Sequence, residues 1–96
     1  MSESGARGEP RRAVALRYTP GHDPAPVITA AGRGLLAEEI LRRAREAGVP
    51  VTADAALARA LSELDVGAVI PPALYVAVAE VLAYVYRLEA RVGREL

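Results

Sequence analysis

ALYVAVAEVLAYVY, residues Ala73 to Tyr86, carries one charged side chain, Glu80. At helical spacing Val78, Val81, Val85 and Leu88 form one apolar stripe, and Tyr75, Ala79, Leu82 and Tyr86 form an adjoining one. A helix this apolar around its circumference has to be covered on most sides. A chain of 96 residues has little material to do so. Part of the surface is therefore expected to stay exposed and to mark an interaction site. The alternative is that a sheet covers one stripe and a neighbouring helix the other. A membrane span needs about 20 apolar residues, whereas this run is shorter, carries Glu80 and comes after Pro71 and Pro72, so that reading is rejected. The two prolines suit a helix start, where a missing N–H matters little, and the helix should run to about Val92.

Upstream, Gly67 breaks the chain before Val69 and Ile70. Asp54 caps a helix expected to reach Leu64, with Leu57, Ala60, Leu61 and Leu64 inward. Val49 to Ala53 (VPVTA) reads as a short strand, at an edge or beginning at Pro50, because proline cannot donate to a ladder. Arg33 to Ala47 reads as a surface helix with Leu36, Ile40, Leu41, Ala44 and Ala47 on its inner stripe. Glutamates precede arginines along it, which complements the macrodipole and allows Glu38–Arg42 and Glu39–Arg43 pairs. Gly48 ends it. Ala13 to Tyr18 alternates, with Val14, Leu16 and Tyr18 on one face. Thr19 to Pro24 is a turn-rich loop, and Pro26 to Ala31 is a second strand. The expected fold is α/β (α+β-like): a small mixed sheet of about three strands packed against three helices. Residues 1–12 are expected to be a disordered leader, 13–92 the domain and 93–96 a C-terminal tail.

The composition adds limits. There is no Cys, so neither disulfides nor thiolate metal sites contribute. Phe and Trp are absent too, so the core must be built of small aliphatics, with Tyr18, Tyr75, Tyr84 and Tyr86 as the only large rings. Twelve basic residues, all arginine, balance twelve acidic ones. Zero net charge argues against a general nucleic-acid binder, which draws its affinity from phosphate neutralisation. The first twelve residues lack the apolar core of a signal peptide.

Candidate chemistry is sparse. Gly32-Arg33-Gly34-Leu35-Leu36-Ala37 fits G-x-G-x-x-A between a strand and a helix, with Asp54 about twenty residues on, which is the setting of a dinucleotide fingerprint. Against it, the chain has no second mononucleotide-binding half, Asp54 is better used as a helix cap, and a helix-start turn accounts for both glycines. His22 stands in a Pro/Gly turn beside Asp23, without the further ligands or nucleophile that a metal site or dyad needs. Ser62 and the leader serines complete no triad. Arg42, Arg43 and Arg45 read as a solvated face. No catalytic residue, metal ligand or cofactor is expected, and the chain is not read as an enzyme.

Several segments together resemble a known family. They are Ala13-Val14-Ala15-Leu16-Arg17-Tyr18, Ala25-Pro26-Val27, Gly48-Val49-Pro50-Val51, Leu57-Ala58-Arg59-Ala60-Leu61, Val66-Gly67 with Ile70-Pro71, and Leu74 to Tyr86. In this order they are similar to the cytoplasmic C-terminal domain of the FlhB/YscU family, the substrate-specificity switch of flagellar and type III protein export. Two departures stand out. The family carries a transmembrane region ahead of this domain. It also carries an Asn-Pro-Thr-His motif before the first of these segments, where the Asn side chain cyclises and cleaves the backbone. The corresponding place here reads Gly8-Glu9-Pro10-Arg11-Arg12, so self-cleavage is not expected, nor is the strand that precedes the motif in the family. The chain resembles the small stand-alone FlhB-like proteins. The resemblance implies a cytoplasmic protein-binding module, peripheral at the export gate, whose partners are exported subunits and other export-apparatus components. It implies a binding patch at Ala25, Pro26, Ala79 and Leu82, the last two of which lie on the stripe expected to be uncovered. A homo-oligomeric scaffold built through the apolar helix, and a nucleotide-binding domain using Gly32 and Gly34, are the alternatives.

Overall fold

The computed structural model describes residues 10–95, with side-chain environments described for 10–83, Val85 and Arg87. Two strands, β1 (Arg12–Arg17) and β2 (Val27–Arg33), are succeeded by helices α1 (Leu35–Glu46) and α2 (Ala55–Leu61), a 3-10 turn (Pro72–Leu74) and helix α3 (Tyr75–Glu95). The expected leader falls largely outside the described residues, as do the side chains of Tyr84, Tyr86 and Leu88. The first strand starts one residue earlier than expected. The last helix runs three residues past Val92 and takes in most of the expected tail.

β1 and β2 pair antiparallel, and the register shifts between Ala15 and Leu16: Val14 faces Ala31 and Ala15 faces Ala30, but Leu16 faces Ile28. Thr29 is the extra residue, and its hydroxyl donates to the Ala15 carbonyl at 3.3 Å. Ile28 and Ala31 are three apart, so a regular strand would send them to opposite faces. The bulge turns both to one face, where they join Val14 and Leu16 around the core of Ala25, Ile28, Leu61, Ile70 and Val78. Leu57 and Leu64 pack there from the α2 region, as expected of its inner face, together with Leu74 and Leu82. Among the described side chains no tyrosine is buried, and the core is entirely aliphatic or alanine.

Among the described residues the sheet has two strands, where three were expected. Val49 to Ala53 forms no strand, and all five of these residues are exposed. The Val49 N–H donates to the Ala44 carbonyl and the Gly48 N–H to that of Arg45, closing α1 in a Schellman arrangement around Gly48 at φ 75°. Pro50 has no N–H at all. Two successive donors are thereby unavailable to a ladder. The third chain beside the sheet is instead residues 67–70. Gly67 N donates to Ile28 O, Ile28 N to Ala68 O and Ile70 N to Pro26 O, at 2.7 to 3.0 Å, and Val27 bridges Val69.

α1 packs on both strands, and the buried Ala13 and Ala37 lie outside the main core cluster. Ala37 is its buried residue, while Leu36, expected inward, is 55% exposed. Leu36 nevertheless lies over Gly32, where any Cβ would collide with Leu36 Cγ and Cδ2. Gly34 stands at the helix start with φ 65°. Both glycines thus serve packing and backbone geometry. Arg42 forks to Glu39 at 2.7 Å and Glu46 at 2.8 Å, and Arg43 meets Glu39 at 2.8 Å. The expected Glu38–Arg42 pair is replaced by this fork. Hydrogen bonds from Arg42 and then Arg43 pull the Glu39 carboxyl down to about 2. α2 is capped by Asp54, which accepts from Leu57 N at 3.0 Å, and it ends at Leu61, three residues short of Leu64.

Candidate functional site: an apolar groove between the β1–β2 loop and α3

In the loop from Tyr18 to Pro26 the turn is tied back to β1 by one carboxylate, and the far end is held by Pro26 O, which accepts from Ile70 N. Pro20-Gly21, with Gly21 at φ 83°, makes a tight turn in which Thr19 O accepts from His22 N (3.0 Å) and Asp23 N (2.8 Å). The Asp23 side chain turns back and accepts from Thr19 N at 2.9 Å, Arg17 Nε at 3.3 Å and Arg17 Nη2 at 3.2 Å. Asp23 is the buried charged residue among the described ones. Hydrogen bonds from the Arg17 guanidinium, then from the Thr19 amide, hold its carboxyl below the usual range. A depressed carboxyl supports the fold above its unfolded-state pKa, and that support is lost as pH falls through the lower folded value. His22 lies open to solvent, with Nδ1 3.4 Å from Asp23 Oδ1.

This loop faces α3 across a groove of about 260 Å³ lined by Tyr18, Pro24, Ala25, Pro26, Ile70, Tyr75, Val78, Ala79 and Leu82. The loop residues form one wall. Ile70 and Val78, both buried, form the floor. Tyr75, Ala79 and Leu82 succeed one another along α3 and form the other wall. All four residues singled out in the sequence are therefore in one place: Ala25 buried, Pro26 and Leu82 half-buried, Ala79 exposed. Tyr75 and Val76, at 45% and 74% exposure, show that the first turn of α3 is largely uncovered, whereas Val78 is sealed in the core. Tyr18, Pro24 and Ile70 join the groove without having been singled out. Ile70 comes through the 67–70 pairing, which no local pattern announces.

The lining is hydrocarbon with tyrosines at Tyr18 and Tyr75, and the volume is below the roughly 300–1,000 Å³ of small-molecule sites. Such a groove can accept one or two aliphatic side chains, and it offers no charged or metal-ligating group for chemistry. Among the described residues no cluster of three or more His, Cys, Asp or Glu could hold a metal, and no helix is long and apolar enough to cross a membrane.

Comparison with known proteins gives the same frame. The FlhB HrpN YscU SpaS Family matches residues 10–85. The YlqH protein of Bacillus subtilis (strain 168) is 42% identical over 82 residues, covering 85% of this chain and 88% of that protein. The flagellar biosynthetic protein FlhB of Aquifex aeolicus (strain VF5) is 46% identical over 74 residues, covering 76% of this chain but 21% of its own length. The crystal structure of the PscU C-terminal domain superposes with a TM-score of 0.75 at 38% identity, covering 78% of this chain and 96% of that one. The chain thus corresponds to about a fifth of the flagellar relative and to nearly all of YlqH and of the PscU domain.

Proposed function

The chain belongs to the FlhB HrpN YscU SpaS family, and from that premise we propose that it is a non-enzymatic docking module of the flagellar or type III protein-export apparatus. It works in the cytoplasm at the export gate, where it holds exported subunits or supplements a full-length switch protein. The observation that carries this reading is the convergence of Ala25, Pro26, Ala79 and Leu82 on one open apolar groove. Binding consists of burying a short apolar segment between the loop and α3. Affinity is modest, because so small a contact lies at the weak end of protein interfaces. Self-cleavage has no place in this function: the 96 residues contain no asparagine, and without one the side-chain cyclisation that opens an Asn-Pro bond has no nucleophile.

The test is a ¹⁵N-NMR titration with N-terminal peptides of hook- or needle-type exported subunits. Shifts are expected to centre on Ala25, Ala79 and Leu82. Leu82→Ala should weaken binding, as should Ala79→Glu, which puts a charge into the groove from an exposed position at little risk to the fold. Unchanged binding in both variants, or no shifts with millimolar peptide, would sink the proposal.

A second reading draws on the exposure of Val76 on the same helix, which suits self-association through the first turn of α3. Sedimentation showing a monomer at tens of micromolar would exclude it.

A further inference from the structure

The groove has one wall made of helix, which α3 holds rigid, and one made of loop, which has to be held by something else. From Thr19 to Ala25 the chain has no ladder partner among the described residues. Its backbone bonds within the turn both end on Thr19 O, from His22 N and Asp23 N. They shape the turn but do not tie it to the strand that precedes it. The tie is a side chain. The Asp23 carboxylate, 5% exposed, takes the Thr19 amide on one oxygen and the Arg17 guanidinium on both. Arg17 is the last residue of β1, so this carboxylate joins the far end of the turn to the sheet. Pro24 and Ala25, the next two residues, enter the groove.

Proline and alanine contribute to such a wall only through where the backbone puts them, having little side-chain reach of their own. We infer that Asp23 is the positioning residue of the groove: its carboxylate, anchored on the Arg17 guanidinium and the Thr19 amide, fixes the loop so that Pro24 and Ala25 stand opposite Ala79 and Leu82. The inference rests on the docking reading, and it adds a residue that touches no bound segment but sets the geometry of the site. A buried charge with three donors is expensive to leave unsupported. The arrangement therefore selects one loop conformation in place of the many open to a Pro/Gly turn.

The experiment uses the whole chain, its Asp23→Asn, Asp23→Ala and Leu82→Ala variants, and a capped, uncharged hexapeptide with two central leucines as the probe. Asp23→Asn keeps an acceptor for the Thr19 amide and loses the charge facing Arg17, whereas Asp23→Ala loses both. Affinity is expected to fall about threefold in the first, where the charge facing Arg17 is lost, and about tenfold in the second, where all three hydrogen bonds of the carboxylate go. In the free protein the amide signals of Tyr18 and Ala25 should move further in both Asp23 variants than in Leu82→Ala, which removes packing on the same core cluster and weakens binding by another route. A merely structural role would lower the melting temperature without this graded, loop-localised signature. Unmoved Tyr18 and Ala25 signals in Asp23→Asn overturn the inference while leaving the groove reading intact. If the wild type and every variant ignore the probe and the subunit peptides, the docking reading fails, and the loop signals alone then decide whether Asp23 holds the wall. Should Asp23→Ala fail to fold, Asp23→Asn decides the matter.

Discussion

Two stretches of the chain place a proline among β-branched residues, Ala25-Pro26-Val27-Ile28 and Val49-Pro50-Val51-Thr52, and they have opposite fates. The first is built into the molecule. Pro26 offers its carbonyl to Ile70 N, Ile28 exchanges both of its backbone groups with 67–68, and Ile28 is fully buried. The second lies exposed with no ladder partner among the described residues. Composition does not separate them. Pro26 sits just before its strand, where the missing N–H is not needed, and residues 67–70 arrive from far downstream as its partner. Pro50 comes after a valine whose N–H is already taken by the end of α1, and no partner arrives. A strand is thus a property of pairs of segments, and β-propensity alone describes only a candidate.

The largest effect that would test this contrast is removal of the anchor in the paired stretch. Ile28→Ala opens a cavity at the junction of β2, residues 67–70 and α3, and should destabilise by about 3 kcal/mol, the middle of the range for deleting a fully buried aliphatic side chain. Urea denaturation reads it directly. A loss under about 1 kcal/mol would mean that the core has another centre.

Next comes the partner. Gly67 has φ 95° and donates to Ile28 O at 2.7 Å, with open space where a Cβ would go. Gly67→Ala therefore meets no clash and acts through backbone strain alone, which for an L residue in this region is about 1–2 kcal/mol. Faster amide exchange at Ile28 and Ile70 should accompany it. Unchanged exchange would show that the 67–70 pairing does not depend on this conformation.

The same contrast explains how much could be read from the sequence. α3 is legible because helical periodicity is local: Val78 of one stripe is buried at the floor of the groove, while Tyr75, Ala79 and Leu82 of the other line its wall. The Asp54 cap and the Gly48 terminus are legible for the same reason, each being settled within four residues. Ala25 and Pro26 enter through family resemblance, since nothing in a Pro-Ala-Pro run says which surface it will line. Ile70, Tyr18 and Pro24 escape notice as groove residues because long-range pairing and the β1–β2 loop bring them in. The bulge at Thr29 is hidden too. Without it Pro26 to Ala31 alternates wrongly for a strand with one buried face, and only the register shows how Ile28 and Ala31 come to share it. Asp23 gives no signal because its neighbours Pro20, Gly21 and His22 have the composition of a solvated turn.

A smaller effect belongs to the helix that begins where the unpaired stretch ends. Asp54 caps α2 immediately after Val49 to Ala53, and removing the acceptor in Asp54→Ala should lower stability by about 1 kcal/mol. If 49–53 were held by the sheet, α2 would keep its position without the cap and the loss would shrink. As the chain stands, the Schellman closure of α1 on one side and this cap on the other are the named restraints on the segment. The cap should therefore show its full value, with faster exchange confined to the first turn of α2.

The smallest expected effect is the most demanding test of the contrast. Val51 is 45% exposed and lies where a third strand would have its centre. In a ladder, Val51→Ser would remove β-branched packing from a half-buried surface, a change of up to about 1 kcal/mol. In an unpaired segment the same substitution stays within about 0.5 kcal/mol of the parent, as surface changes generally do. The Val51 amide should also exchange at nearly the rate of an open chain, because its N–H has no acceptor among the described residues. Slow exchange at Val51 together with a loss near 1 kcal/mol would mean that the segment pairs in solution, and the sheet would then have its third strand after all. Fast exchange and a neutral substitution would leave Val49, Pro50 and Val51 as a tether between two capped helices, with the sheet edge completed by residues 67–70 instead.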